Sequence, residues 1–347
     1  MKKLFFPVVI LFLFFSCQEP PHSRVSDNAL QADCRIMFWN AENLFDCYKD
    51  SLKDDDEFLP FGIRGWTTAR YKQKLKNMYK VFIAAGDWNP PDLIGLCEIE
   101  NKNVLYGLLR DTPFSYFNYR FVHYESPDRR GIDVALLYNP ARVEVVDEGS
   151  VPVVLSAKTG YRGRDILYVR VRIACGDTLS LFVNHWPSKF GGAGYTADLR
   201  ENVASILSGA MTEVLRNHPG EKIIAMGDFN DPPESSSFDA LGYAPDSAHI
   251  PLLVNLASDY KADIPGSYKF QGSWQLIDQF LVSQNFLSGE EGAVVNPSSF
   301  SVFAPDFLLE KDEKFGGMKP FRTYAGFAYN AGFSDHLPII LDLFMAT

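Results

Sequence analysis

Apolar and polar positions alternate in short runs along most of this chain, and the runs tend to end on a polar residue. Arg35-Ile36-Met37-Phe38-Trp39-Asn40 and Leu93-Ile94-Gly95-Leu96-Cys97-Glu98 are predicted strands, the second entered from Pro90-Pro91. Asp133 to Tyr138 is a third, stopped by Asn139-Pro140. Ile166 to Ile173 and Leu179 to His185 flank a Gly176-Asp177 turn, as in a hairpin. Lys222 to Met226, Leu276 to Val282 and Leu337 to Phe344 complete the set. Two stretches change period. Ala69 to Ala85 carries Leu75, Met78, Val81, Phe82 and Ala85 at helical spacing. Leu199 to Leu215 does the same through Val203, Ile206, Leu207, Met211 and Val214, until His218-Pro219-Gly220 ends it. Strand pairs with occasional helices predict a mixed sheet or two stacked sheets, and not a doubly wound parallel sheet. No linker or repeat divides residues 33–347, which are read as one domain.

The first residues are set apart. Lys2-Lys3, an apolar run from Leu4 to Phe15, and Ser16-Cys17 read as an export signal over residues 1–16. The run is short for a membrane span. Leu13-Phe14-Phe15-Ser16-Cys17 resembles a relaxed bacterial lipobox, which makes Cys17 the expected lipidation site and residues 17–32 a polar tether. The plainer alternatives are an ordinary cleaved signal or an uncleaved anchor. An exported envelope lipoprotein, touching the membrane only through its anchor and monomeric, is the expectation.

Composition adds little to this and charge adds more. Hydrophobic residues make up 46% and charged residues 22%, with 28 phenylalanines, so there is ample material for a core. Formal charge is −10, and loss of Lys2 and Lys3 with the signal takes it to −12. A general basic field for nucleic acid is thereby excluded, though a nuclease is not, because a bound cation resets the local potential. Cys34, Cys47, Cys97 and Cys175 show no CxxC spacing. Cys97 reads as a core residue, and a Cys34–Cys47 bridge is left open.

The chemistry lies at the strand ends. In chain order these positions hold Asn40, Glu42, Glu98, His185, Asp228, Asn230, Asp278, Asp335 and His336. Each has an ordinary explanation alone: a turn cap, a surface charge, a satisfied core histidine, an Asx turn. Together they form a set of hard oxygen donors with two acid-flanked histidines, suited to Mg²⁺, Mn²⁺ or Ca²⁺ and to proton handling. No GxSxG elbow, Walker A loop, HExxH or dinucleotide fingerprint competes.

These motifs resemble, in order, those of the endonuclease/exonuclease/phosphatase superfamily with its DNase I-like fold. The segments are Phe38-Trp39-Asn40-Ala41-Glu42-Asn43, Leu96-Cys97-Glu98, Val183-Asn184-His185, Gly227-Asp228-Phe229-Asn230, Leu276-Ile277-Asp278 and Ser334-Asp335-His336. The resemblance implies an α/β four-layer sandwich, two stacked mixed sheets flanked by helices. It implies a metal held by Glu98 with Asn40 and Glu42, and Asp335 at the far edge. Asp228 would orient or deprotonate water, Asn230 would hold the phosphate, Asp278 would orient His336, and His336 and His185 would contact phosphate or move protons. Arg130 and Lys189 are candidate phosphate contacts, with an ordinary surface role as the alternative. A nuclease is the leading expectation. A phosphatase or phosphodiesterase on small-molecule or lipid esters is the second, and a non-catalytic surface-binding lipoprotein the third.

Overall fold

The structure, a computed structural model, describes residues 32–156, 161–189, 193–242, 252–289 and 291–346. Cys17 lies outside these residues. Thirteen strands build two stacked sheets: β1 (Cys34–Leu44), β2 (Leu93–Ile99), β3 (Arg120–His123), β4 (Asp133–Tyr138), β5 (Val143–Val151), β6 (Ile166–Ile173), β7 (Thr178–His185), β8 (Lys222–Asp228), β9 (Leu253–Asn255), β10 (Asp278–Ser283), β11 (Ala293–Val295), β12 (Ser301–Val302) and β13 (Ile339–Met345). The first sheet runs β11-β13-β1-β2-β4-β3, with β12 also on β13, and the second runs β9-β10-β8-β7-β6-β5.

Each sheet is antiparallel except for one central parallel pair, β1–β2 in the first and β7–β8 in the second. A parallel pair needs a crossover. Helix α1 (Thr68–Ala85) supplies the first, and α3 (Ala193–Asn217) supplies the second; α2 (Lys102–Arg110) follows β2. Thr67 caps α1 by accepting from the Arg70 N–H. Its Leu75, Met78, Val81 and Phe82 are buried, with Phe82 edge-on to Trp39 of β1. Val203, Ala204, Leu207 and Met211 of α3 cluster with Phe182, Ile223, Ala225 and Leu281 on the outer face of the second sheet. Strand alternation sends Leu181, Val183, Ile224, Met226, Phe280 and Val282 the other way, into the core shared with the first sheet. The layers are helix, sheet, sheet, helix, as expected.

Two glycines set the spacing between layers and strands. A Cβ at Gly95 would meet Met226 Sδ of the opposite sheet at 2.9 Å, and one at Gly227 would meet the Asn184 carbonyl at 2.4 Å. The Cys34–Cys47 bridge left open by the sequence is not formed: Cys34 opens β1 and Cys47 lies beyond its far end, and both thiols are free. Cys97 is fully buried, as expected.

Candidate active site

The carboxyl ends of the two parallel pairs meet at one edge of the sandwich, where strand termini leave side chains free to converge. The second sheet contributes a row. Asp228 pairs in register with His185 on β7 and with Asp278 on β10. All three share the parity of Val183, Met226 and Phe280, so they face the first sheet. Asp228 Oδ2 lies 3.7 Å from His185 Nε2 and 3.9 Å from His336 Nε2. Arg164 fixes the end of β7, donating to the His185 and Trp186 carbonyls at 2.9 and 2.7 Å.

The first sheet contributes through irregular backbone. Asn40 points inward with Ile36 and Phe38, and its amide donates to Asp228 Oδ2 at 3.1 Å, with Glu98 Oε1 at 3.4 Å. By alternation Glu98 would face the helices, opposite Gly95 and Cys97. Instead its φ is +60°, the pairing register shifts between Cys97 and Ile99, and Glu98 Oε2 accepts from the Asn43 N–H at 2.8 Å. Glu42 and Asn43 are also left-handed, as is Asn230. Four of the nine non-glycine residues with positive φ among the described residues therefore belong to this one edge. Such strain persists only where the surroundings impose it, and it gathers at functional sites.

His336 enters just before β13. Ser334 Oγ donates to the Asn40 carbonyl and accepts from the His336 N–H, and Trp39 Nε1 donates to the His336 carbonyl. His336 Nδ1 lies 2.7 Å from Asp278 Oδ2, which also accepts from Ser267 Oγ at 2.5 Å. Tyr268 stacks on the imidazole with ring centres 4.8 Å apart. Burial alone would lower the His336 pKa, but Asp278 and Asp228 outweigh it and hold it well above the ordinary value. Burial, with Arg164 and Arg130 adding, drives His185 the other way. Burial lifts the Asp228 carboxyl to about 7 against the pull of His336. The edge thus holds one cationic and one neutral imidazole around a carboxyl balanced near neutrality.

The expected residues divide into two groups. Asn40, Glu98, His185, Asp228, Asp278 and His336 converge. Asn230 sits beside them, its backbone N–H on Asp228 Oδ1 and its amide on the Trp186 carbonyl. Glu42 and Asp335 are engaged elsewhere: Glu42 accepts from the backbone N–H groups of Thr323 and Tyr324, and Asp335 accepts from Arg322 Nη2 at 2.7 Å. Arg322 Nε lies 3.5 Å from Glu42, so both acids hold this arginine. Beneath them the fully buried Lys74 donates to Thr323 Oγ1 and the Phe333 carbonyl. Lys189 pairs with Asp231 at 3.3 Å, and Arg130 is half-exposed beside Asp128. Sequence reading missed Arg164, Arg322, Lys74, Tyr268 and Ser267; each stands alone in its segment, with no motif around it.

A family model described as the endonuclease/exonuclease/phosphatase family matches residues 35–345. The chain belongs to this family. Among solved structures it is similar to a family member from Bacteroides thetaiotaomicron (TM-score 0.57, 16% identity, 89% of this chain and 94% of that one). It is also similar to the mannosyl-6-phosphatase of the same organism (0.56, 17%, 90% and 100%). A third is D. rerio TDP2 complexed with a single-strand DNA product (0.54, 14%, 90% and 99%). No curated protein matches the chain. Membership places it among phosphoester hydrolases with the DNase I-like fold.

The family is generally divalent-metal dependent, and the donor set fits a hard cation. Glu98 and Asp228 turn carboxylate oxygens toward each other across Asn40, and Asp278 Oδ1 is buried without a hydrogen-bond partner. The one soft donor within reach, Cys97 beside His185 and Asp228, is held as a thiol, because burial and the surrounding acids push its pKa well up.

Proposed function

We propose that this protein is an exported, divalent-metal-dependent phosphodiester hydrolase whose first substrate class is nucleic acid. The observation that carries the chemistry is the convergence of Glu98 and Asn40 with the His185–Asp228–Asp278 row and His336. Glu98 is assigned to hold the cation, with Asn40 beside it through Oδ1, which here accepts from the Glu42 N–H while its amide N–H faces Glu98 and Asp228. Glu42 and Asp335 are reassigned from metal ligands to holding Arg322, which then offers a cationic donor at the rim. A divalent ion held there would neutralise phosphate charge and lower the pKa of a nearby water. Asp228, near neutrality and flanked by His336, orients and takes a proton from that water. His336, kept cationic by Asp278, donates to a phosphate oxygen, and Asn230 supplies a further donor as charge develops there.

Nucleic acid is supported by the similarity to a protein solved with a single-strand DNA product. A second reading, hydrolysis of small phosphate esters, is favoured by the formal charge of −10 and by the full-length overlap with a mannosyl-6-phosphatase. The purified domain with Mg²⁺ or Mn²⁺, assayed against plasmid DNA, RNA, sphingomyelin, a sugar phosphate and bis-p-nitrophenyl phosphate, separates them. Full activity in excess chelator sinks the metal assignment. For the export reading, mass spectrometry of the native protein should find an acylated N-terminal Cys17; another N-terminus without acyl mass overturns the lipid anchor.

A further inference from the structure

A second cluster of metal-ligand residue types lies one strand away from the active site, where β3 ends and β4 begins. His123 is 4% exposed and Asp133 1%. Neither ring nitrogen of His123 has a hydrogen-bond partner, and the Asp133 and Glu125 carboxyls meet each other beside it. An imidazole carries at least one N–H, so leaving it buried and unpaired forfeits about 1–3 kcal/mol. His123 Nε2 lies 3.8 Å from Asp133 Oδ2, too far for a hydrogen bond. That separation suits two ligands of one ion, since donors about 2.0–2.2 Å from a metal stand up to about 4 Å apart. Glu125 adds a third donor, the ligand atoms all lying within 4.8 Å of one another, and it is the exposed member that opens the group to solvent. Asp133 Oδ1 is aimed by the Ser126 N–H at 3.0 Å. The neighbouring cations are Lys53, tied to the Ser126 and Asp128 carbonyls, and Lys102, close enough to act on His123 and Glu125.

We propose that His123, Glu125 and Asp133 form a second, structural metal site for a first-row divalent ion such as Zn²⁺. One imidazole with two carboxylates suits this class better than Mg²⁺. The ion ties the end of β3 to the start of β4 and braces the segment between them. That segment carries Asp128, whose carboxylate faces Arg164 Nη1 at 3.5 Å, and Arg164 in turn holds the end of β7 beside His185.

Calorimetry and metal analysis of the dialysed full domain with Zn²⁺ test the proposal, read as the difference between the wild type and variants of this cluster, because the His185–Asp228 edge also offers Zn²⁺ donors. The wild type should take up a tight Zn²⁺ at this cluster, and Glu98→Gln should keep it. Glu125→Gln, a change at an exposed position that leaves the fold intact, should weaken it at least about tenfold, and His123→Ala should abolish it. No Zn²⁺ uptake by the wild type would overturn the site, leaving His123 a buried neutral imidazole. So would wild-type affinity in Glu125→Gln. Because no arm reads hydrolysis, an error in the proposed function leaves this outcome untouched.

Discussion

The two sheets build their halves of the active edge in different ways. On the second sheet, His185, Asp228 and Asp278 stand in one registered row on regular strands, and ordinary pleating points them inward. On the first sheet, Glu98 reaches the site only because its backbone and that of Glu42 and Asn43 adopt left-handed conformations that β-structure does not supply. The row is rigid through its neighbours. The bulged half is held by side-chain and backbone contacts made within the site itself: Asn43 N–H on Glu98, Glu42 N–H on Asn40 Oδ1, Thr323 N–H on Glu42. Chemistry and fold are therefore separable in the row and entangled in the bulge.

The largest expected effect tests the row. Asp228→Asn keeps the shape and the Asn230 N–H contact but removes the proton acceptor. It should cost about 10²–10⁴ in turnover, with an unfolding midpoint near that of the wild type. Turnover close to wild type on the true substrate would remove Asp228 from the proton-handling role.

The next test separates strain from chemistry at Glu98. Both Glu98→Ala and Glu98→Gly remove the carboxylate and should weaken metal binding equally. Only glycine is at ease at φ +60°, where other L-residues carry a penalty of about 1–2 kcal/mol. Glu98→Gly should thus be the more stable of the two by up to about 1 kcal/mol in urea titrations, after the entropy cost of glycine. Equal stabilities would mean that the bulge stores no strain.

This contrast also explains what could be read from the chain. Asp133–Tyr138 and Ile166–Ile173 were bounded correctly from alternation and flanking breakers. Helix α2 was not, because it is nine residues long with Gly107 inside. β5 was not, because Asp147-Glu148-Gly149 interrupts its pattern at a sheet edge. The registered row was legible because His185 and Asp228 close apolar strands and Asp278 opens one. The contacts of Glu42 were not legible, because sequence shows only that it follows a strand, whereas the amides that donate to its carboxylate come from Thr323 and Tyr324, far along the chain. Arg164 and Lys74 were invisible for the same reason: their partners are distant carbonyls and hydroxyls that no local pattern announces.

A smaller effect sets the two histidines against each other in metal-free protein. His336 has a raised folded pKa, so its contribution is fully present below the ordinary imidazole value of about 6.5 and is lost as pH rises through the folded value. His185 has a lowered folded pKa, so its unfolded form binds the proton first. The stability from keeping it neutral is present above about pH 6.5 and is lost as pH falls. The destabilisation caused by His336→Gln should therefore shrink toward alkaline pH, and that caused by His185→Gln should shrink toward acid pH. Parallel slopes in urea titrations across this range would contradict the assigned charge states.

The smallest effect concerns the rim. Asp231 accepts from two cations, the buried Arg200 at 2.6 Å and Lys189 at 3.3 Å, whose side chain is 40% exposed. Arg200 and Ser237 both donate to Asp231 Oδ2 and Lys189 faces Oδ1 from a part-exposed position, so Lys189 contributes no more than the about 0.2–1 kcal/mol of an exposed pair. Lys189→Ala should leave the unfolding midpoint nearly unchanged. If its ammonium also meets substrate phosphate, the same energy range caps the rise in KM at about fivefold, with kcat unaltered. A fall in kcat of the size expected for Asp228→Asn would move Lys189 from the rim into the reacting centre, and would break the proposed division between a registered row assigned the chemistry and a periphery assigned to substrate binding.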